Sequence, residues 1–136
     1  MAGYSGTPLV KKLGIKPGST ISLLNAPQGF ATELGDLPEG VKLDGAGKAT
    51  LDFVLLFVKS QAELQKEFAK QAKRLAQAGM LWVSWPKKAS GVTTDLSENV
   101  VRDHGLKVGL VDVKVCAVND IWSGLKFVIR LKDRKA

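Results

Sequence analysis

The sequence predicts an α/β fold: a three-layer, doubly wound, mostly parallel sheet with an antiparallel hairpin at its end. Three observations predict it. Largely apolar segments at 20–24, 52–58 and 80–85 alternate with stretches of helical periodicity. Strands of that kind are buried on both faces, as in parallel sheets, and the helices between them are crossover connections that cover those faces. The last two strand-like segments are joined by a turn too short for a crossover, so they pair antiparallel.

Residues 1–6 read as a frayed start. Thr7 is placed to cap a short helix with Pro8 at its first position, where a missing N–H costs nothing. Leu9, Val10 and Leu13 form its apolar face, Gly14 ends it, and Pro17-Gly18 turns the chain. The first buried strand, 20–24, stops at Asn25-Ala26-Pro27-Gln28-Gly29, and a short helix follows at 30–34. Segment 37–48 is rich in Gly, Pro and charge and has room for one thin edge strand at 41–43. Segment 52–58 is the central strand. Ser60 and Glu63 have capping-box spacing, each able to satisfy an orphan amide of the other. Leu64, Phe68, Ala72 and Leu75 then lie on one helical face, with Lys66, Lys70, Lys73 and Arg74 largely on the remainder. Gly79 sits where a C-terminal cap belongs. Asp95 and Glu98 repeat the capping spacing before a helix that ends at Gly105. In 110–118, Val111, Val113, Val115 and Ala117 alternate with Asp112 and Lys114, the pattern of a half-exposed strand. Residues 119–124 turn the chain into a last strand of Leu125, Phe127, Ile129 and Leu131 alternating with Lys126, Val128 and Arg130.

At 136 residues the chain fits a single domain spanning 1–136 with one core. The net charge is +7, which favours anionic partners over basic ones. Cys116 is the only cysteine, so no intramolecular disulfide forms, and a reduced, cytoplasmic setting is the expectation. The first twelve residues carry no apolar signal segment, and the longest apolar run, 53–58, is too short to span a bilayer. No particular oligomeric state is predicted.

The most informative stretch is Trp82-Val83-Ser84-Trp85-Pro86-Lys87-Lys88-Ala89-Ser90-Gly91, a strand running into proline, two lysines and a small turn. Ligands of open α/β sheets bind at the carboxyl ends of strands, and lysines beside a helix start suit an anion. Trp85, Lys87, Lys88, Ser90 and Asn99 converge on that region. Asn25 and Gln28 follow the first strand and Lys59 the central one, so both loops share a rim with Lys87. Trp82 and Trp85 have opposite parity and cannot form one stacking platform. His104, the only histidine, has no metal-ligating neighbour in sequence, so neither a metal site nor any other resident cofactor is predicted. Cys116 reads as a small buried apolar residue. No Gly-x-Ser-x-Gly elbow is present, and Gly45-Ala46-Gly47-Lys48 lacks the spacing of a P-loop.

The element order resembles the class I methyltransferase fold, a doubly wound sheet ending in an antiparallel hairpin strand, and segment 52–85 carries the resemblance best. Gly3-Tyr4-Ser5-Gly6-Thr7-Pro8, Trp85-Pro86-Lys87-Lys88, Glu98-Asn99-Val100-Val101-Arg102 and Trp122-Ser123-Gly124-Leu125 resemble a family of small bacterial proteins that brings no established activity. The methyltransferase resemblance implies a glycine-rich loop after the first strand, where the backbone approaches S-adenosylmethionine. This chain has Asn25-Ala26-Pro27-Gln28-Gly29 there, with one glycine and a proline that removes an amide. It also implies an acid after the second strand for the ribose hydroxyls, and Asp44 is the only candidate nearby. The space between Leu24 and Asp52 holds one thin strand rather than two strand–helix units, so the fold is truncated.

Three functions follow in order of expectation. The first is a non-catalytic or degenerate methyltransferase-like domain that binds a small anionic ligand or a protein at the rim of Asn25, Lys59, Lys87 and Lys88. The second is an enzyme with an altered nucleotide-type cofactor pocket, which requires a deep apolar cleft at that rim. The third is nucleic-acid binding through the basic surface, which predicts affinity that falls steeply with salt.

Overall fold

The computed structural model describes residues 8–44 and 49–134. The proposed Thr7 cap, the Gly3-to-Thr7 motif and the 45–48 glycine segment lie outside them. After α1 (Leu9–Leu13) the elements are β1 (Thr20–Leu24), α2 (Phe30–Leu34), β2 (Lys42–Leu43), β3 (Leu51–Phe57), α3 (Gln61–Ala72), β4 (Leu75–Pro86), α4 (Glu98–Val108), β5 (Leu110–Ala117) and β6 (Trp122–Ile129). Six strands form one sheet in the order β2-β1-β3-β4-β6-β5. The first four run parallel, and β6 is antiparallel to both its neighbours. The α/β class and the terminal hairpin are as the sequence predicts.

Period-2 alternation along β3 splits the core between two faces. Val54 and Leu56 pack with Leu64 and Phe68 of α3 and Val101 of α4. Phe53, Leu55 and Phe57 pack with Leu13 of α1 and with Phe30 and Leu34 of α2. Trp82 and Trp85 fall on opposite faces, as their parity requires. The buried indole Nε1 of Trp82 donates to the Leu13 carbonyl at 2.8 Å and fastens α1 to the sheet.

Several local expectations are corrected. Pro8 is the residue flanking α1 rather than its first helical position. α3 ends at Ala72, and Leu75 opens β4 opposite Leu51. Leu75 continues the helical spacing and is buried in either state, so periodicity alone could not place the boundary. Pairing resumes at Phe53 with Met80, so the intervening residues form a bulge. Gly79 lies in that bulge and is no helix cap: a Cβ there would stand 2.8 Å from the Leu51 carbonyl oxygen. At the start of α3, Ser60 Oγ accepts from Glu63 N at 3.1 Å, but Glu63 Oε1 accepts from Lys59 N, at 2.8 Å, rather than from Ser60. α4 is capped by Ser97, whose Oγ accepts from Val100 N, and Asp95 is used elsewhere. The sheet hairpin turns earlier than expected. Asn119 Oδ1 accepts from the amides of Ile121 and Trp122, so β6 begins at Trp122. It ends at Ile129, and Leu131 lies in a short 3-10 turn. The alternation of β5 is broken between Asp112, which faces Phe127, and Lys114, which faces Lys126.

Gly105 does not end α4. The helix runs on to Val108 and is closed by Gly109 at φ 115°. Gly105 is instead where α4 meets the ring of Phe127, and a Cβ would stand 2.0 Å from its Cε1. Two effects oppose each other in Gly105→Ala. Helix propensity favours alanine by about 1 kcal/mol, whereas overpacking a closed core costs about 1–3 kcal/mol or more. Phe127 is 0% exposed and cannot swing into solvent, so the clash wins. Gly105→Ala is expected to lose about 1–2 kcal/mol net in urea unfolding. A stabilised variant would show that α4 can slide away from the sheet.

Candidate ligand rim

β1, β3 and β4 are adjacent and parallel, so their carboxyl ends deliver Asn25, Lys59 and Lys87 to one edge of the sheet. The winding direction reverses between β1 and β3, and such a switch point is where open α/β sheets bind ligands. Here the switch point is bridged by the chain itself. Asn25 takes a left-handed conformation, φ 59°, which asparagine tolerates better than most residues. Its Nδ2 donates to the carbonyl of Phe57, the last residue of β3, at 3.3 Å. On the α2 side, Phe30, Phe57 and Trp122 pack edge to face, with ring centroids 4.9 Å and 5.0 Å apart. All three are buried.

The loop after β4 is tied down in the same way. Lys87 N donates to the Ile121 carbonyl at 2.7 Å. Ser90 Oγ donates to the Lys87 carbonyl at 2.6 Å and accepts from Val92 N, so this hydroxyl builds the turn. Thr94 Oγ1 donates to the Lys59 carbonyl at 2.6 Å, and Asp95 Oδ1 accepts from Gln61 N at 2.8 Å. The positive end of the α3 dipole therefore already holds a carboxylate. Lys59 and Lys88 are exposed and Lys87 is half-buried. Trp85, by contrast, is in the core at 5% exposure. Asn99 lies in the first turn of α4, where its Oδ1 accepts from Arg102 at 3.1 Å. Arg102 also bonds Glu98 and Asp112, and those two carboxylates push its pKa up.

Gln28 opens onto a cleft of about 550 Å³ between α2 and the hairpin turn, lined also by Glu33, Asn119, Asp120 and Ile121. Asn119 Nδ2 donates to Glu33 Oε1 across it. Asp44, after β2, is 5% exposed and forms an ion pair with Arg74. Arg74 also donates to the Ala49 carbonyl at 3.0 Å.

Elsewhere, His104 lies within α4. Its ring meets Phe68 edge to face at 5.3 Å, and burial followed by the charge of Lys107 lowers its pKa. Cys116 is half-buried against the α1-side core, and burial raises its thiol pKa. Among the described residues no group of three or more His, Cys, Asp or Glu side chains is placed to hold a metal ion. No helix among them is long and apolar enough to cross a membrane.

The rim of Asn25, Lys59 and Lys87 was readable from topology. The aromatic trio was not, because its members come from three distant segments with no shared spacing. The acidic cleft also went unread, although Asn119 one position before Asp120 carries a turn signal.

No protein-family model and no curated protein matches this sequence. Solved structures do match the fold. The chain is similar to a TehB-like SAM-dependent methyltransferase from Corynebacterium glutamicum, at TM-score 0.59 and 11% identity over 95% of this chain and 91% of that one. It is similar to a precorrin-6y C5,15-methyltransferase from Geobacter metallireducens, at TM-score 0.62 and 11% identity over 90% and 86%. A SAM-dependent methyltransferase from Aquifex aeolicus gives TM-score 0.53 and 16% identity over 90% and 88%. The chain therefore has a methyltransferase-like, Rossmann-type fold.

Proposed function

We propose that this chain is a methyltransferase-fold domain that does not perform methyl transfer and instead binds a small anionic ligand at its rim through Lys59, Lys87 and Lys88. The observation that carries this reading is the Asn25 amide donating to the Phe57 carbonyl across the switch point, beside the buried rings of Phe30, Phe57 and Trp122. Those groups stand where the structural relatives' fold would admit a nucleoside cofactor. The residues at hand do not fit S-adenosylmethionine. Pro27 offers no amide, and Asp44, the one acid after β2, is engaged by Arg74 rather than open to a ribose.

The lysines favour an anion because they place positive charge at the ends of β3 and β4, Lys59 and Lys88 exposed and Lys87 half-buried. Asp95 already accepts from the first α3 amide, that of Gln61, and Ser60 Oγ from that of Glu63, so a ligand would be held by side chains and bind weakly.

Calorimetric titration tests both halves. S-adenosylmethionine and S-adenosylhomocysteine are expected to give no binding heat. Pyrophosphate is expected to bind the wild type and lose at least tenfold in affinity in Lys87→Ala/Lys88→Ala. Micromolar binding of S-adenosylmethionine would overturn the non-catalytic half, and pyrophosphate indifferent to the double variant would overturn the anion half.

A protein partner at the same edge is the second reading. It is favoured by Ile121, 45% exposed beside Glu33 and Asp120 in the open cleft.

A further inference from the structure

The sheet face that carries α1 gathers lysines away from the rim loops. Lys126 on β6 is directly opposite Trp82 of β4 and Lys114 of β5. Cross-strand neighbours share a face, and Trp82 bonds the end of α1, so both lysines lie on the α1 side. Lys114 Nζ donates to the Lys12 carbonyl at 3.3 Å, and Lys12 Nζ donates to the Ala117 carbonyl at 2.8 Å. Lys16 follows α1 and stands close enough for its charge, with that of Lys114, to act on the half-buried Lys126 ammonium. Burial first, and then those two charges, lower the Lys126 pKa.

Like charges directly opposite on a sheet are destabilising. A fold that places Lys114 against Lys126 bears that cost. Among the described residues the ion pairs are Arg74–Asp44, Arg102–Glu98 and Arg102–Asp112, and none uses Lys16, Lys114 or Lys126. Violations of local electrostatic preference in real proteins concentrate at functional sites. The lysines come from α1, the loop after it, β5 and β6, so they are distributed across one face of the fold. A small ion is held by converging donors, whereas a chain of phosphates matches dispersed cations. The three tryptophans are buried, which leaves no indole on which a base could stack.

We propose that Lys12, Lys16, Lys114 and Lys126 form a face that binds the phosphodiester backbone of duplex nucleic acid without reading its sequence. The rim lysines belong to a different site, so the two proposals stand or fall separately. Binding uses three or four phosphate contacts.

The test is fluorescence anisotropy with a labelled 20-base-pair DNA duplex. Log affinity is expected to fall with log salt with a slope of about −2.7 to −3.6, roughly a 40- to 150-fold loss between 50 and 200 mM. Lys114→Gln/Lys126→Gln relieves the like-charge pair, so it is expected to melt no lower than the wild type while the slope shrinks by about 2. Lys16→Gln, at an exposed position, shrinks it by about 1 and keeps the test alive if the double variant misfolds. Lys87→Ala/Lys88→Ala leaves the slope unchanged. No binding at 50 mM salt, or a slope indifferent to both glutamine variants, overturns the proposal. Equal affinity for a polyglutamate of the same charge overturns it in favour of an acidic protein.

Discussion

Phe57→Ala is expected to cost about 3–5 kcal/mol, the usual range for removing a fully buried aromatic ring. Phe57 is 1% exposed and is the middle ring of the trio, touching Phe30 on one side and Trp122 on the other. Its loss leaves both neighbours without an edge-to-face partner and opens a void at the carboxyl end of β3. The surroundings cannot collapse to fill it, because Asn25 and the hairpin turn hold the rim from either side. The thermal midpoint should fall by roughly 10–20 °C. A loss under about 1 kcal/mol would mean that the rim repacks freely and that the rings are no fixed obstruction. The conservative Phe57→Leu keeps most of the volume and should recover more than half of the stability.

Arg74→Ala is expected to cost about 3 kcal/mol, at the lower end for breaking a buried ion pair. The carboxylate of Asp44 is 5% exposed and stays in place when its guanidinium is removed. The side chain of Arg74 is 20% exposed, so water reaches part of the vacated site and moderates the loss. Replacing both partners should cost far less, since a neutral, well-filled pair escapes the desolvation penalty. Urea unfolding of Arg74→Ala, Asp44→Ala and the double variant measures this. Equal losses in all three would confine the effect to packing. A double variant much more stable than Arg74→Ala would show that the buried Asp44 charge, rather than lost packing, sets the cost.

The sequence made the strands and their order legible for a simple physical reason. Strands buried on both faces must be apolar throughout, and β1 and α2 have the boundaries that their composition suggests. Glycine misled twice. Gly79 and Gly105 both resemble helix ends, yet each is required because a neighbour, the Leu51 carbonyl or the Phe127 ring, leaves no room for a Cβ. A single chain cannot distinguish a glycine that ends a helix from one that lets another segment approach. The capping spacing at Ser60 and Glu63 marked a true helix start. The same spacing at Asp95 and Glu98 did not, because Asp95 bonds an element more than thirty positions earlier. The candidate site divides along the same line. Which loops share the rim follows from topology alone. What fills the rim depends on Phe30, Phe57 and Trp122 meeting in space, and no local pattern encodes that meeting.

The interruption of β5 at Val113 bears on how the molecule behaves at high concentration. β5 is an outer strand of the sheet, and Val113 and Val115 are 53% and 51% exposed along it. A regular outer strand with two such valines would be a template for edge-to-edge aggregation. The extra residue breaks the ladder of outward N–H and C=O groups, and Lys114 sets a charge beside the break. The opposite edge, β2, is only two residues long and offers little to copy. Both borders of the sheet are thus poor templates for edge-to-edge pairing.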